Sequence, residues 1–557
     1  MRKPAVSALE WRLVTIAAVA IMILVSLPYM FGAAAQDADW HFGWFIYGTV
    51  DGNSYLAKMR EGAVDGWLFH IAYTSEPHDG AFLFTPYLAG GKLAALFTSP
   101  RSPTFVDTLL IVFHGARILF GIALILVMYR FIAVFIPRRS LRLLALVLAC
   151  LGGGLGWLIF PLAGDQFLGS PPIDILLPEG YSFYILQGLP HLELARAALF
   201  GGLLITFHAT TIERRWGVWM VAAGLSWLVM GLCVPFYIGV VYAILGVWGA
   251  AVLIRHRRFP LRLFTRCVVG AMVPAPLLLY SLYVILTNPV IRQWQAQNVL
   301  PSPNPIHFVL GYGIYVLLAI PVFRWAWRRG HRSLPHLLIV AWVAAGPVLA
   351  YFPIAVQRRL LEGIFVPLCI MAVWGMNLWW IGMRRRLRRR SPIRAMLAWR
   401  RAVLLILGLT LPTSILLLLI GAGNAQHRAE PLFHSSGEIA VLDWMNANLP
   451  ADSVVLCDFS TGNYLPARAD LRVFIGHSPE TLYIDTIKRP LMMRFYGGAL
   501  NDAQQRDFFA TYGIRYVLFS PEQQTETVMK ALSLVLHLLP YNRADGYRIY
   551  EVASDGS

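Results

Sequence analysis

Charged side chains are scarce in this sequence of 557 residues, in which Asp, Glu, Lys and Arg together make up 14%. A soluble globular chain carries about 25%. Hydrophobic residues account for 57% of the chain, and the mean hydropathy is +0.58. Because a soluble fold cannot enclose so much apolar surface, the surplus must face lipid. The composition therefore excludes a soluble multidomain protein, and the 13% of aromatic residues exclude a disordered one.

Cysteine is scarce as well, since the chain has five cysteines and no CxxC pair. Four of them stand inside apolar stretches, so neither a disulfide framework nor a zinc motif is predicted. Acidic residues number 30 against 47 Lys and Arg, which gives a net charge of +17. Such a balance can indicate nucleic-acid binding, but most of these basic residues lie in short loops between apolar segments. The charge therefore indicates membrane orientation, and no nucleic-acid partner is predicted.

Long apolar runs are what the chain has in abundance. A membrane-spanning helix needs about 20 apolar residues, and about eleven segments meet this requirement. The run 217–254 is too long for one helix, and Pro235 near its middle predicts a turn between two helices. The sequence thus predicts a polytopic α-helical membrane protein with spans near 12–32, 105–129, 141–163, 191–212, 217–234, 236–254, 264–287, 308–323, 336–355, 364–383 and 402–421.

The arginine clusters predict the orientation of these spans. The first span is longer than the apolar core of a cleaved signal, so we interpret it as an anchor. With the N-terminus in the cytoplasm, every cluster falls on the cytoplasmic side, as the positive-inside rule requires. The chain is then a multi-pass protein of the plasma (inner) membrane, with residues 1–32 as the first span, 33–104 as a large external loop, 105–421 as spans two to eleven and 430–557 as an external domain. The clusters lie at 130–142, 214–215, 255–266, 324–332 and 384–401.

The external C-terminal domain has a globular composition. Strands alternate with helices in it, which predicts a small α/β layer. It has neither a glycine-rich phosphate loop nor a nucleophile elbow, so we interpret it as a lid or recognition module; His477 and Glu480 could touch an acceptor, but nothing in the sequence selects them. The predicted helices are 436–448, with a capped start, and 502–512, and the predicted strands are 454–457, 472–475, 516–519 and, as an edge strand, 547–552.

The first external loop has about 70 residues, and loops of that length usually have a function. Its segment 54–62 predicts a short amphipathic helix on the membrane, and the turn before it presents Asp51 near the helix start. In the order Asp51, Tyr55, Gly66-Trp67 and Glu76-Pro77-His78, the loop resembles the GT-C superfamily of membrane glycosyltransferases. The resemblance is to the branch that contains protein O-mannosyltransferases and the lipid A aminoarabinose transferase.

The resemblance implies an inverting glycosyltransferase that moves a sugar from a polyprenyl-phosphate carrier to an external protein, lipid or glycan acceptor. Such chemistry needs a carboxylate to take the proton of the acceptor hydroxyl. Asp51 and Asp39 are the candidate catalytic bases, because both follow the first span on the external side, and either could instead be a turn-capping aspartate. Tyr55, Glu76 and His78 are the candidate substrate-positioning residues.

Transfer also needs a cation to stabilise the charge that gathers on the departing lipid phosphate. Arg358 and Arg359 stand in an external loop, against the charge bias of the other loops, and a guanidinium suits phosphate oxygens. A lipid-headgroup anchor or a pair with Glu362 is the alternative role.

Gly52 follows Asp51 where the family often has a second acid, so no metal-ligating residues are assigned. A divalent metal ion held by Glu76 and His78 is the alternative cofactor. A different class of function stays open as well: a non-enzymatic transporter of lipid-linked glycans, or a membrane scaffold. Transporters commonly show internal repeats, and no convincing repeat between the halves of this chain favours that class.

Overall fold

The computed structural model describes residues 6–329, 333–388, 392–524, 536–541 and 543–553. Of the arginines predicted to be cytoplasmic, Arg332, Arg389 and Arg390 lie outside these ranges. The helices in chain order are α1 (Ala8–Ala35), α2 (Thr49–Val64), α3 (Thr85–Ala95), α4 (Phe105–Phe135), α5 (Arg139–Leu151), α6 (Gly156–Ala163), α7 (Ile173–Leu176), α8 (Ser182–Gly188), α9 (Pro190–Ala209), α10 (Trp216–Cys233), α11 (Tyr237–His256), α12 (Leu261–Met272), α13 (Ala275–Thr287), α14 (Pro289–Gln297), α15 (Pro305–Arg329), α16 (Leu334–Ala350), α17 (Phe365–Arg388), α18 (Pro392–Thr410), α19 (Pro412–Gln426), α20 (Ser436–Asn448), α21 (Phe459–Arg468), α22 (Arg489–Tyr496) and α23 (Asp502–Tyr512).

Within the described ranges, nine helical segments are long and apolar enough to cross a membrane. A tenth candidate is the pair α12 and α13, which is bent by 53°, and α16 is a shorter apolar helix of 17 residues. These eleven segments coincide with the eleven predicted spans. The chain breaks between α10 and α11 around Pro235, as predicted. The predicted span 141–163 is divided into α5 and α6, since Gly152, Gly153 and Gly154 interrupt the helix there.

The chain forms two compact units. The first unit takes the chain up to Leu27 together with Ala116–Ser281 and Val299–Gly421, and it contains most of the apolar helices. The second unit takes Pro28–Gly115, Leu282–Asn298 and the chain from Ala422 onward. Residues 33–104, the loop predicted to be external, and the C-terminal segment therefore belong to one folded body.

The first unit has ion pairs buried among its apolar helices. Arg142 of α5 lies 2.7 Å from Glu10 of α1, and Tyr129 of α4 donates to the same carboxylate. Arg196 of α9 and Glu362 form a second, fully buried pair. Charges removed from water in this way are tolerated only when they are paired.

The second unit is built on two sheets, among the residues that the structure describes. Strands β1 (Trp40–Phe42) and β2 (Phe433–Ser435) pair antiparallel. The larger sheet is mixed, with the order β4-β3-β5-β7-β6. Its strands are β3 (Val454–Leu456), β4 (Arg472–Val473), β5 (Ile514–Phe519), β6 (Leu536–Leu538) and β7 (Arg548–Val552). β7 pairs with both β5 and β6, so the prediction of an edge strand was wrong.

Alternating side chains of β3 and β5 enter two different hydrophobic cores, one on each face of the large sheet. Val455, Tyr516 and Leu518 face a core completed by α2, α3, α20 and α21 and by the start of α4. Leu456, Val517 and Phe519 face a core completed by α22 and α23. Strand side chains point to opposite faces with a period of two, so the sheet is the middle layer of three. The helices α2 and α3 of the long loop after α1 supply part of one outer layer.

Candidate functional site

Asp51 lies in the first turn of α2, a helix that begins at Thr49 rather than at the predicted residue 54. Gly48 caps this start with φ of 62°, a left-handed conformation that favours glycine. A carboxylate in a first turn is stabilised by the helix dipole. The Asp51 side chain is 57% exposed, whereas α2 is mostly buried. The prediction of an amphipathic helix on the membrane surface is therefore wrong, because α2 packs between α3 and α21.

His477 contacts the Asp51 carboxylate from the protein interior. Its Nε2 lies 3.2 Å from Oδ1 of Asp51, and its side chain is only 3% exposed. Since an ionised carboxylate only accepts hydrogen bonds, Nε2 must carry the proton. The ring of Tyr73 packs 5.3 Å from the imidazole. One oxygen of Asp51 is thus oriented by a buried donor, while the carboxylate keeps its access to solvent.

Glu480 and Lys58 continue this arrangement into the interior. The Lys58 Nζ lies 2.6 Å from Oε1 of Glu480, and the Ser54 hydroxyl donates to the same oxygen at 2.9 Å. Burial alone would raise the pKa of Glu480, but Lys58, His477 and Ser54 together lower it below its ordinary value. The His477 Nδ1 lies 3.8 Å from Oε1 of Glu480. Acid, imidazole, acid and ammonium therefore follow one another from the surface inward.

His477 lies near α2 because the two residues before it pack closely on the backbone of α21, which in turn contacts α2. A Cβ on Gly476 would lie 2.3 Å from the backbone oxygen of Gly462, and a Cβ on Gly462 would lie 2.1 Å from that of Ile475. Only glycine fits such contacts. The Asn463 amide donates to the Val50 carbonyl at 3.1 Å, which joins α21 to the first turn of α2. The site is therefore held by α2, α21 and the turn after β4.

Glu76 and His78, the predicted positioning pair, both have partners within the protein. The Lys488 Nζ lies 2.7 Å from Oε2 of Glu76. Burial alone would raise the pKa of Glu76, but Lys488 and Thr74 lower it. The His78 Nε2 accepts the Ile71 N–H at 2.8 Å, and its Nδ1 lies 2.9 Å from the Glu76 carbonyl. His78 thereby ties the two sides of its own loop together.

Tyr55 and Asp39, the remaining candidates of the first loop, differ in burial. The Tyr55 ring stacks on Tyr87 of α3 with centroids 4.6 Å apart. Asp39 is exposed in the turn before β1, where its N–H donates to the Asp37 carboxylate and its carbonyl accepts from Ser436. The backbone of Asp39 is therefore fixed by a capped turn, and its side chain faces solvent.

Arg358 and Arg359 lie in the first unit, in a short 3-10 helix from Gln357 to Leu361. Their Nε atoms each lie 3.9 Å from one of the two oxygens of Glu179, and their side chains are 21% and 30% exposed. Glu362 is not their partner, because Arg196 contacts it at 2.5 Å and 3.0 Å. Two guanidinium groups thus share one carboxylate.

Sequence reasoning did not select His477, Glu480 or Lys58 for this site. The separation of Asp51 and His477 is 426 residues, and no local pattern reports a contact of that range. One signal was present, because His477-Ser-Pro-Glu480 begins one residue after the predicted strand 472–475 and lies in no predicted helix. A histidine and an acid on a turn at a strand end are candidates for a site.

No protein-family model and no curated protein matches the sequence. Solved structures of the Archaeoglobus fulgidus oligosaccharyltransferase are similar to it. One, tethered to an acceptor peptide with an NVT sequon, has a TM-score of 0.53 at 13% identity over 92% of this chain and 70% of that one. Another, AglB with an inhibitory peptide and a dolichol-phosphate, has 0.53 at 12% over 98% and 74%. A third, a complex with Zn and sulfate, has 0.51 at 13% over 93% and 69%. This chain is therefore a multi-pass membrane protein with the GT-C fold of membrane glycosyltransferases.

Proposed function

We propose that this chain is an inverting glycosyltransferase that moves a sugar from a polyprenyl-phosphate carrier to an acceptor on the external face of the membrane. The observation that carries the proposal is the exposed Asp51 carboxylate held by the buried imidazole of His477. The GT-C fold supports it, as do the acceptor peptide and the dolichol-phosphate bound by the similar oligosaccharyltransferase structures.

Asp51 is the proposed base. Its carboxylate takes the proton of the acceptor hydroxyl while that oxygen attacks the anomeric carbon, and the bond from that carbon to the carrier phosphate breaks. His477 fixes the carboxylate, whose side chain is more than half exposed to solvent and thus to an acceptor. Asp39, whose backbone belongs to a capped turn, is the second candidate for the base.

Arg358 and Arg359 are the proposed contacts of the carrier phosphate. Their shared partner Glu179 lies 3.9 Å away from each, longer than a hydrogen bond. Both guanidinium groups therefore keep donors for the phosphate oxygens, where negative charge gathers as the sugar leaves. A divalent metal ion remains the alternative source of positive charge, and the proposed acceptor is a protein, lipid or glycan.

The test of Asp51 uses purified protein, labelled polyprenyl-phosphate hexose and extracted membranes as acceptor. We expect Asp51→Asn to lower turnover about 100-fold or more, with carrier binding retained. Asp79→Asn, a substitution in an exposed loop of the same unit, is the matched control. Equal turnover in Asp51→Asn and the wild type would remove Asp51 from its role. If the wild type binds the carrier but shows no turnover, a transporter is favoured.

The test of the arginines measures carrier binding. We expect Arg358→Ala with Arg359→Ala to weaken binding of polyprenyl phosphate, and the exposed adjacent pair Arg138→Ala with Arg139→Ala to leave it unchanged. Equal affinity in all three proteins would overturn the assignment.

A further inference from the structure

A second cluster of chemically active side chains lies in the second unit and is not part of the proposed catalytic site. It lines a cavity of about 520 Å³ between the C-terminal half of α2, the loop after it and the segment before β4. Four carboxylates, two imidazoles and two guanidinium groups line this cavity, among them those of Glu61, Asp65, His70, Asp452, Arg60 and Arg472.

Three of these residues converge. Glu61 lies in the last turn of α2, Asp65 is the extended residue that ends the helix, and His70 follows in the loop. One ligand atom from each lies within 4.8 Å of the other two. The His70 Nδ1 is 2.9 Å from Oε1 of Glu61 and 3.8 Å from Oδ2 of Asp65.

The local structure holds these donor atoms in place. The backbone N–H of His70 donates to the Glu61 carboxylate, which fixes the loop to the helix. On the other side of the ring, a Cβ on Gly80 would lie 2.6 Å from Nε2 of His70. Glycine at position 80 thus leaves room for the imidazole, whose Nδ1 contacts the carboxylates.

The two arginines that line the cavity have other partners. Arg472 is taken by Asp452, with contacts of 2.6 Å and 3.2 Å. Arg60 donates to the carbonyls of Ala467 and Pro100. Glu61, with a half-buried side chain, and Asp65, with an exposed one, are therefore two carboxylates that pair with neither arginine.

We propose that Glu61, Asp65 and His70 form a binding site for a divalent transition-metal ion of the zinc class. Two carboxylate oxygens and one imidazole nitrogen suit such an ion, and three protein ligands leave a coordination position open toward the cavity. The imidazole distinguishes this set from an all-oxygen site for calcium or magnesium. A bound ion joins the end of α2 to the loop that carries Glu76 and His78.

The test is metal binding by the purified full-length chain, treated with EDTA, desalted and titrated with Zn²⁺ against a chromophoric chelator. We expect one equivalent to bind, and X-ray absorption to show nitrogen and oxygen ligands without sulfur. Glu61→Gln and His70→Gln should each weaken binding about 10- to 100-fold, at least as much as the loss of an outer-shell partner.

The matched control is Asp507→Asn with His537→Gln, an exposed acid and an exposed imidazole of the same unit, which should bind Zn²⁺ like the wild type. Asp51→Asn should also bind normally, so loss of turnover and loss of metal can be told apart. Each variant is accepted only with an unchanged elution volume and melting temperature after EDTA treatment. The proposal is overturned if the wild type does not bind Zn²⁺, or if Glu61→Gln and His70→Gln bind it with the affinity of the wild type.

Discussion

At the scale of the residue, the second unit depends on charges that have been removed from water. Lys58 and Glu480 are 2% and 5% exposed and lie 2.6 Å apart. The Lys58 ammonium also lies 4.5 Å from the centre of the Phe84 ring. A buried pair of this kind is costly to break, because the remaining partner has neither water nor a counter-charge. The same pair supports His477, and through it Asp51.

We expect Glu480→Gln to lower the free energy of unfolding by about 3–5 kcal/mol, the usual cost of leaving one buried charge unpaired. Thermal unfolding of the detergent-purified protein measures the change. Lys58→Met combined with Glu480→Leu should recover part of the loss, because no buried charge remains. The exposed Ser478→Ala is the control, and an unchanged melting temperature in Glu480→Gln would contradict the expectation.

A second buried acid, Glu438, gives a prediction on pH. Its Oε2 lies 2.9 Å from Nδ1 of His434. Burial alone would raise its pKa, but His434, Thr461 and Arg468 lower it below 4.5, its ordinary value. A depressed pKa contributes stability above the unfolded-state pKa, and this contribution is lost as the pH falls through the folded-state value.

Glu438→Gln should therefore be less stable than the wild type near pH 6, and the difference should narrow below about pH 4. Melting temperatures measured from pH 6 to pH 3.5 test the trend. The exposed Glu522→Gln should show no such convergence. A difference that grows toward acid pH would reverse the sign of the argument.

At the scale of the element, α2 and α3 are in close contact because glycine faces the backbone of the opposite helix on both sides. A Cβ on Gly91 would lie 1.6 Å from the backbone oxygen of Met59, and a Cβ on Gly62 would lie 2.3 Å from that of Leu88. Real Cβ atoms do not approach backbone so closely, so an added methyl group must separate the helices.

We expect Gly91→Ala to destabilise the protein by about 1–3 kcal/mol or more, the usual cost of overpacking, despite the higher helix propensity of alanine. The comparison is Gly66→Ala, where an added Cβ would meet nothing within 4 Å. Denaturation followed by tryptophan fluorescence measures both. Equal stability of the two variants would show that the helices can separate at no cost.

Element types were largely predictable where hydrophobic periodicity is strong. The capped helix from Ser436 to Asn448 and the helix from Asp502 to Tyr512 are confirmed with the predicted bounds. The start of α2 was not predictable, because Thr49 to Asn53 form a helix turn by packing on α21 and carry no apolar pattern of their own. β7 alternates as an edge strand does, yet β6 covers it. In both cases, contacts with distant parts of the chain determined the local structure.

At the scale of the whole molecule, the sequence predicted the membrane class and the apolar segments but not the composition of the second unit. Length and hydropathy are properties of a single segment, so each span can be predicted without knowledge of its tertiary contacts. The contact of Asp51 with His477 joins chain segments on either side of the apolar helices. The hydrophobic pattern of one segment contains no information about the other, so Asp51 was predicted as a site residue and His477 was not.

Membrane orientation remains a prediction that labelling can test. In intact cells, a membrane-impermeant maleimide should modify Asp507→Cys, on the exposed face of α23, and should modify Arg258→Cys only after permeabilisation. Background is low, because four of the five native cysteines are buried. The opposite labelling pattern would invert the topology and place Asp51 in the cytoplasm.

The pairing of β1 with β2 has a consequence for biogenesis. Trp40 follows the first apolar helix and pairs with Ser435, which follows the last one. During synthesis, β1 emerges from the ribosome nearly 400 residues before β2, the strand with which it pairs. The face of α2 that packs on α21 likewise remains uncovered until Phe459–Arg468 has been synthesised. Nascent chains that stop before Phe433 should be prime substrates for membrane quality-control proteases.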